Sequence, residues 1–141
     1  MKIVKKRFCD WDDTTKRKLR RATLRGGSLR SFTQAFHKSL TIVAFNNKQI
    51  MGWAFILCQT HNNKPQVNLF VNDRYKGHGL AGLLVERVLK NFEMISLAKW
   101  DKVTKRLFRR LQKENPGKVT VFDWWKHKGK YKRIVQEALH P

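Results

Sequence analysis

Two glycines, Gly77 and Gly79, stand where this sequence passes from an apolar segment into a helical pattern. Residues 67–92 read VNLFVNDRYKGHGLAGLLVERVLKNF, which predicts a strand, a glycine-rich turn and an amphipathic helix in direct succession. Glycine lets the backbone approach a ligand closely, and the first turn of a helix carries unpaired N–H groups at the positive end of its dipole. The order of these residues therefore predicts a binding site for an anion such as a pyrophosphate.

Three phosphate-binding motifs are alternatives for this turn. The sequence contains no G-x-x-x-x-G-K-[ST], which excludes a P-loop. The dinucleotide motif G-x-G-x-x-G is present only if Gly82, inside the predicted helix, is counted with Gly77 and Gly79. A dinucleotide fold also needs its motif after the first strand of a βαβ unit and an acidic residue about 20 positions later. Neither condition is met here, so the dinucleotide alternative is weak.

The third alternative is a resemblance to a known family. The segment VNDRYKGHGLAGLLVERVL closely resembles the cofactor segment of the GNAT superfamily of N-acyltransferases. In that family a valine ends the strand and the turn R/Q-x-x-G-x-G/A follows. Lys76 stands in place of the Arg or Gln, while Gly79 and Ala81 match; Val71 and Tyr75 also stand where the family has a valine and an aromatic residue.

The resemblance implies a cofactor, acetyl-CoA or a related acyl-CoA. Backbone N–H groups of the turn would bind its pyrophosphate, Lys76 would add a positive charge, and a backbone N–H near Phe70 or Val71 would polarise the thioester carbonyl. The cofactor-binding residues expected on this basis are Phe70, Val71, Lys76, Gly77, His78, Gly79, Leu80 and Ala81.

The residues for proton transfer match the family only partly. The family pattern N-x-x-A-x-x-L-Y maps onto residues 101–108, where Phe108 replaces the tyrosine that protonates the thiolate. The predicted strand 66–72 contains no carboxylate. Ser96 and Asp101 remain as catalytic candidates, although a local hydrogen bond or a helix cap explains each of them as well. The five histidines lack the spacing of metal ligands, so no metal site is expected.

Positive charge is the second strong feature. The chain has 31 Lys and Arg against 10 Asp and Glu, a net charge of +21, which favours a polyanionic partner such as nucleic acid. Residues 1–45 carry 12 basic side chains and residues 96–141 carry 13, so the excess lies in the two flanks. The tail WWKHKGKYKR at 124–133 has the composition of a base-stacking surface, although its Trp pair could instead fill the core. The candidate nucleic-acid-binding residues are Lys16, Arg17, Arg20, Arg21, Arg25, Arg106, Arg109, Arg110, Lys126, Lys128, Lys130, Lys132 and Arg133.

The pattern of elements predicts one α/β domain over residues 1–141, with a GNAT-like mixed sheet around the central strand–turn–helix segment. Cys9 and Cys58 are too few for a disulfide framework, and no apolar run approaches the roughly 20 residues of a spanning helix. A cytoplasmic protein without a membrane partner is expected. Strands are predicted at 2–6, 40–45, 50–59, 66–72, 94–100 and 119–125, and helices at 12–24, 28–40, 79–92 and 101–113.

Together these features predict an N-acyltransferase that moves an acetyl or other acyl group from acyl-CoA to an amine on, or bound to, tRNA or DNA. Two alternatives remain open at this stage. One is acetylation of a protein, with the basic surface docking an acidic partner. The other is a GNAT scaffold that has lost catalysis and binds nucleic acid or an acidic protein, which the missing tyrosine and carboxylate favour.

Overall fold

The computed structural model describes residues 1–23, 39–61, 64–99 and 105–123. The strands form one six-stranded sheet whose order follows the chain. This architecture confirms the α/β class with a mixed sheet. The elements are β1 (Lys2–Arg7), α1 (Asp13–Thr23), β2 (Leu40–Asn46), β3 (Gln49–His61), β4 (Lys64–Val71), α2 (Leu80–Leu89), β5 (Ile95–Lys99), α3 (Lys105–Glu114) and β6 (Val119–Asp123).

The connections between strands explain the direction of each pair. β1 to β4 pair antiparallel, and the tight β2–β3 connection places Asn47 at a φ of 54°, in the left-handed region that Asn tolerates. β4, β5 and β6 pair parallel, so each connection must cross over the sheet through a helix. Two successive right-handed crossovers toward the same edge place α2 and α3 on the same face.

The two faces of the sheet support different cores. In β3, Ala54 and Ile56 point into a larger core that α2 and α3 cover, whereas Trp53 and Phe55 point to the opposite face. The larger core includes the α2 residues Leu84, Val85 and Val88. The second core, called the aromatic core below, consists of Phe8, Trp11, Leu19, Val43, Trp53 and Phe55.

Helix α1 lies over the aromatic core through its buried Leu19. Its start is capped by Asp12, whose Oδ1 accepts a hydrogen bond of 2.7 Å from the backbone N–H of Thr15. Trp11, just before the cap, donates from Nε1 to Thr41 Oγ1 at 2.7 Å and so ties the helix start to β2. The helix predicted to start at residue 12 therefore begins at Asp13, with Asp12 as its cap.

The cap should make the stability of the protein depend on pH. Hydrogen bonds from the Thr15 side chain and backbone, with the charges of Lys6 and Lys18, hold the pKa of Asp12 below its usual value. A lowered pKa contributes stability above the unfolded pKa, and this contribution is lost as pH falls below about 4. We expect Asp12→Asn to lower the melting temperature at pH 7, and the difference from the natural protein should shrink as pH falls below about 4 toward pH 3. Circular dichroism melts across this range test it; a difference that persists unchanged at pH 3 would contradict it.

Several element boundaries differ from the sequence prediction. α2 ends at Leu89 rather than at residue 92, because Asn91 donates from Nδ2 to Arg87 O at 3.1 Å and closes the last turn. Lys5 Nζ in turn donates to Asn91 Oδ1 at 3.0 Å and ties this end to β1. The predicted helix beginning at Ser28, the cap at Asp101 and the tail 124–133 lie outside the described residues. Among the helices in the described ranges, none is long and apolar enough to cross a membrane.

Candidate cofactor and acyl-transfer site

The sheet opens between β4 and β5. Among the described residues, these strands pair only at Gln66 with Ser96 and at Val67 with Leu97. On its other edge β4 stays paired to β3 as far as Val71, which lies opposite Gly52. Residues 69–71 of β4 therefore have no β5 ladder partner in the described structure, and this edge of β4 is called the opening below.

The segment after β4 is fixed by short polar contacts. Asn72 N donates to Met51 O at 2.8 Å, and Asn72 Oδ1 accepts from Arg74 N at 3.2 Å across a 3-10 turn. The Tyr75 hydroxyl donates to Gln49 Oε1 at 3.0 Å, which attaches this turn to the β2–β3 connection. The glycine-rich turn therefore starts from a backbone that is anchored to β3.

The glycine-rich turn has the backbone conformation that only glycine adopts easily. Gly77 and Gly79 have φ angles of +83° and +77°, and Gly79 is the N-cap of α2. The first helical hydrogen bond runs from Leu83 N to Gly79 O at 3.2 Å. Within the described chain, no backbone carbonyl accepts from the N–H groups of Gly77, His78 or Gly79. Together with the first N–H groups of α2, they form a donor set suited to a pyrophosphate.

The side chains of the turn add one positive charge at its start. Lys76 Nζ lies 2.7 Å from Asp73 Oδ1, and the two side chains are 62% and 81% exposed. An exposed pair of this kind contributes little stability, so Lys76 can exchange its partner for a phosphate. His78 is exposed, whereas Leu80 and Ala81 are buried and fix the start of α2 against the sheet.

Gly52 is a site residue that the sequence analysis missed. A Cβ at this position would lie 2.7 Å from Phe70 O and 3.1 Å from Leu80 Cδ2, so only glycine lets β3 approach the end of β4 and the start of α2. The available signal was a glycine inside an apolar strand pattern, which often marks a close backbone approach. Gly82 differs, since a Cβ there would make an ordinary contact of 3.7 Å with Glu114 Oε2.

The residues expected to flank the thioester point to opposite faces. Phe70 stacks on Trp53, with ring centroids 5.7 Å apart at 28°, and lies 6.0 Å from the nearly parallel ring of Phe55. Val71 packs into the larger core instead. The backbone between Phe70 and Val71 is therefore held from both sides at the edge of the opening.

The proposed proton-transfer residues are placed differently from one another. Ser96 is fully buried at the closed end of the opening, directly beside Gln66. Asp101 lies outside the described residues. Phe108, which stands where the family has a tyrosine, is 4% exposed and packs into the larger core. In the described ranges no group of His, Cys, Asp and Glu could hold a metal ion.

The basic residues that the structure describes on α1 and α3 do not form one surface. Lys16, Arg17 and Arg20 belong to α1 on the aromatic-core face, whereas α3 lies on the opposite face through Phe108 and Leu111. A nucleic acid that contacts both helices would have to wrap around the sheet. The α3 candidates Arg106, Arg109 and Arg110 are exposed, and Arg110 also lies 3.6 Å from Glu114. The side chain of Arg21 and the residues Arg25, Lys126, Lys128, Lys130, Lys132 and Arg133 lie outside the described part of the chain.

Comparison with known proteins adds a finding about the fold. No protein-family model matches the sequence, and neither does any curated protein. A solved aminoglycoside acetyltransferase, meta-AAC0020 from an uncultured soil metagenomic sample, in complex with sisomicin, superposes with a TM-score of 0.52 over 82% of this chain and 87% of that chain. The chain has the fold of a GNAT-type acetyltransferase.

A second structure of that acetyltransferase, in complex with trehalose, superposes on the GNAT fold of this chain with a TM-score of 0.51. It covers 82% of this chain and 86% of the other, and the sequence identity in both comparisons is 17%. The resemblance predicted from the glycine-rich turn is thereby confirmed for the fold. At this identity the likeness concerns the architecture alone.

Proposed function

We propose that this chain is an acyl-CoA-dependent N-acyltransferase that moves an acetyl or related acyl group to an amine. The observation that carries the proposal is that two features meet at one end of β4: a backbone edge at residues 69–71 that pairs with no described β5 residue, and a set of N–H donors at residues 77–81. A diphosphate bound to the donors would direct the attached thioester chain along the unpaired edge. Gly77, Gly79 and Lys76 fit such a group in backbone shape and in charge.

The chemistry follows from this placement. Acyl-CoA supplies a thioester whose carbonyl carbon can accept an amine. A backbone N–H near Phe70 or Val71 would donate to the carbonyl oxygen as negative charge develops there, an effect typically worth about 3–4 kcal/mol. The amine nitrogen forms the new bond to carbon, the carbon–sulfur bond breaks, and the amine loses a proton as the thiolate leaves. Ser96 and Asp101 are proposed for the proton steps.

Calorimetric titration with acetyl-CoA tests the proposal directly. Binding, together with mass-spectrometric detection of acetyl transfer from a labelled donor, is the expected result. An absence of acetyl-CoA binding would remove the enzymatic function altogether. Binding without any transfer would support the alternative of a degenerate scaffold, which the buried Phe108 in place of a tyrosine favours.

Lys76 and Asp73 allow a paired test of the turn. We expect Lys76→Gln to weaken acetyl-CoA binding about fivefold to tenfold, because one charge-assisted hydrogen bond to phosphate is lost. We expect Asp73→Asn to strengthen binding, because it releases Lys76 from a competing carboxylate. Both variants should keep the melting temperature of the natural protein, since the pair is exposed. Changes of the same sign in the two dissociation constants would contradict a role of Lys76 in phosphate binding.

We further propose that the acceptor amine is on, or bound to, a nucleic acid, either tRNA or DNA. An aminoglycoside is a polycation, and a protein of net charge +21 repels it. In the described chain, the acidic residues outside β6 are all exposed and none lies on β4 or β5. The positive charge supports a polyanionic acceptor, and α1 carries part of it on the face that α2 and α3 leave open.

Salt dependence separates the two basic helices. We expect the double variant Arg17→Gln, Lys18→Gln on α1 to weaken nucleic-acid binding and to reduce the slope of log affinity against log salt by about 1–2. The matched double variant Arg106→Gln, Arg109→Gln on α3 should weaken nucleic-acid binding less, because α3 lies on the opposite face. Binding of DNA and tRNA that does not respond to salt would contradict the polyanion proposal and favour docking of a protein partner.

A further inference from the structure

A row of polar side chains crosses the sheet at the closed end of the opening. In register, Gln66 on β4 lies beside Ser96 on β5, and Ser96 lies beside Thr120 on β6. Asn68 follows two residues later on β4, on the same face and at the start of the opening. Gln66 is 1% exposed and Asn68 and Ser96 are 0% exposed. The opposite face of these strands is apolar and packs against α2 and α3 through Val67, Leu69, Ile95, Leu97, Val119 and Val121.

The burial of Gln66 has no structural explanation in the described residues. Its Nε2 atom has no hydrogen-bond partner in the described part of the protein. A buried donor without an acceptor costs free energy, which Met or Leu of similar size would avoid. The neighbouring part of the same face, under β2 and β3, is mainly apolar and aromatic, and its buried Thr41 is hydrogen-bonded to Trp11 Nε1 and Lys6 O. Gln66 Nε2 has no such partner, which points to a ligand rather than to folding.

The position and chemistry of Gln66 restrict the ligand. Helices α2 and α3 cover one face of β4 and β5, and Gln66 lies on the opposite face. A molecule that reaches the thioester from the face of Gln66 would therefore be the acyl acceptor. The Nε2 group donates hydrogen bonds and accepts none, so it binds an oxygen such as a carbonyl. Phe70 follows Gln66 by four positions, about 13 Å along a strand, and a Gln side chain that leans along the strand shortens the distance from its Nε2 to the reacting amine to several ångströms.

We propose that Gln66 is a positioning residue that binds a carbonyl oxygen of the acyl acceptor, a short distance from the amine that is acylated. The acceptor class is then an amine that carries a nearby carbonyl, as a peptide N-terminus or an aminoacyl ester does, rather than a simple alkylamine. The inference deepens the proposed function and rests on it, because it needs an acyl-CoA in the opening.

The test compares two amines in two glutamine variants. Alanyl-alaninamide carries carbonyl groups next to its amine, and n-hexylamine of similar length carries none. With saturating acetyl-CoA, we expect Gln66→Met to raise the KM for alanyl-alaninamide about tenfold, the loss of one hydrogen bond, and to leave the KM for hexylamine unchanged. Gln112→Met on α3 is the matched control, since it makes the same change at an exposed position.

Two further measurements separate this role from a structural one. Gln66→Met should keep or raise the melting temperature, because it removes an unsatisfied donor, and should keep the dissociation constant of acetyl-CoA.

The remaining outcomes would each contradict one specific claim. Equal changes in KM for both amines, or none, would overturn the role of Gln66, as would a lack of transfer to both amines while acetyl-CoA binds. Weaker acetyl-CoA binding in Gln66→Met would show that Gln66 binds an oxygen of the acyl donor. That result would also overturn the proposed role of Gln66 in binding the acceptor. If the natural protein fails to bind acetyl-CoA, the proposed function itself is wrong.

Discussion

Replacement of Gly79 by valine is expected to weaken acetyl-CoA binding about a hundredfold. Gly79 has a φ of +77°, a conformation that a β-branched residue avoids, and no atom lies within 4 Å of the position that a Cβ would take. The effect therefore comes from the backbone and from the space that the ligand needs, and not from a clash inside the protein. A turn that relaxes to a negative φ redirects its N–H groups, and the loss of two charge-assisted hydrogen bonds accounts for the factor.

Gly117→Val provides the matched control for this prediction. Gly117 has a φ of +74°, is equally free of neighbouring atoms, and lies in the connection between α3 and β6. Both variants should lose similar stability, while only Gly79→Val loses affinity in calorimetric titration. Equal affinities of the two variants for acetyl-CoA would show that the turn does not bind the diphosphate.

Replacement of Gly52 by alanine should destabilise the protein by about 2–3 kcal/mol, near the upper end for overpacking a well-packed position. Its Cβ would meet the backbone oxygen of Phe70 at 2.7 Å, and a backbone atom cannot rotate away. Relief requires β3 and β4 to move apart where β4 ends, which also displaces Leu80 and the start of α2. Denaturant unfolding measures the stability, and acetyl-CoA titration measures the accompanying loss of affinity.

The same substitution at Gly82 is expected to act in the opposite direction. A Cβ at Gly82 meets only ordinary contacts, and alanine is favoured over glycine inside a helix by up to about 1 kcal/mol. Gly82→Ala should therefore keep or raise the stability and keep acetyl-CoA binding. Unimpaired folding and binding in Gly52→Ala would mean that the close approach of β3 to β4 is not required.

The sequence was most informative where structure is set locally. Gly77 and Gly79 define the turn because their φ angles depend on residue type, and the apolar period of residues 80–89 defines α2. The opening depends instead on where β4 and β5 stop pairing, which is a contact between segments 30 residues apart. No local sequence pattern encodes where two distant strands stop pairing. The sequence therefore did not identify Gln66 and Asn68 as site residues, although they alternate with apolar neighbours.

The positions of the basic residues were also only partly predictable from the sequence. Counting charges along the chain identified the two cationic flanks, but only the crossover helices reveal that α1 and α3 lie on opposite faces. The role of Gly52 could not be predicted from the sequence for a related reason. Its importance comes from Phe70 O and Leu80, which are distant in sequence and meet it only in the folded sheet.

The β1 edge of the sheet also affects how copies of this protein behave when they are concentrated. An edge strand offers unpaired backbone groups to any other strand, which is a common route to aggregation. β1 is such an edge, and four of its six residues, Lys2, Lys5, Lys6 and Arg7, are exposed cations. Two identical edges repel each other, so fibril-like growth through β1 is disfavoured, whereas a strand rich in carboxylates would meet no such repulsion.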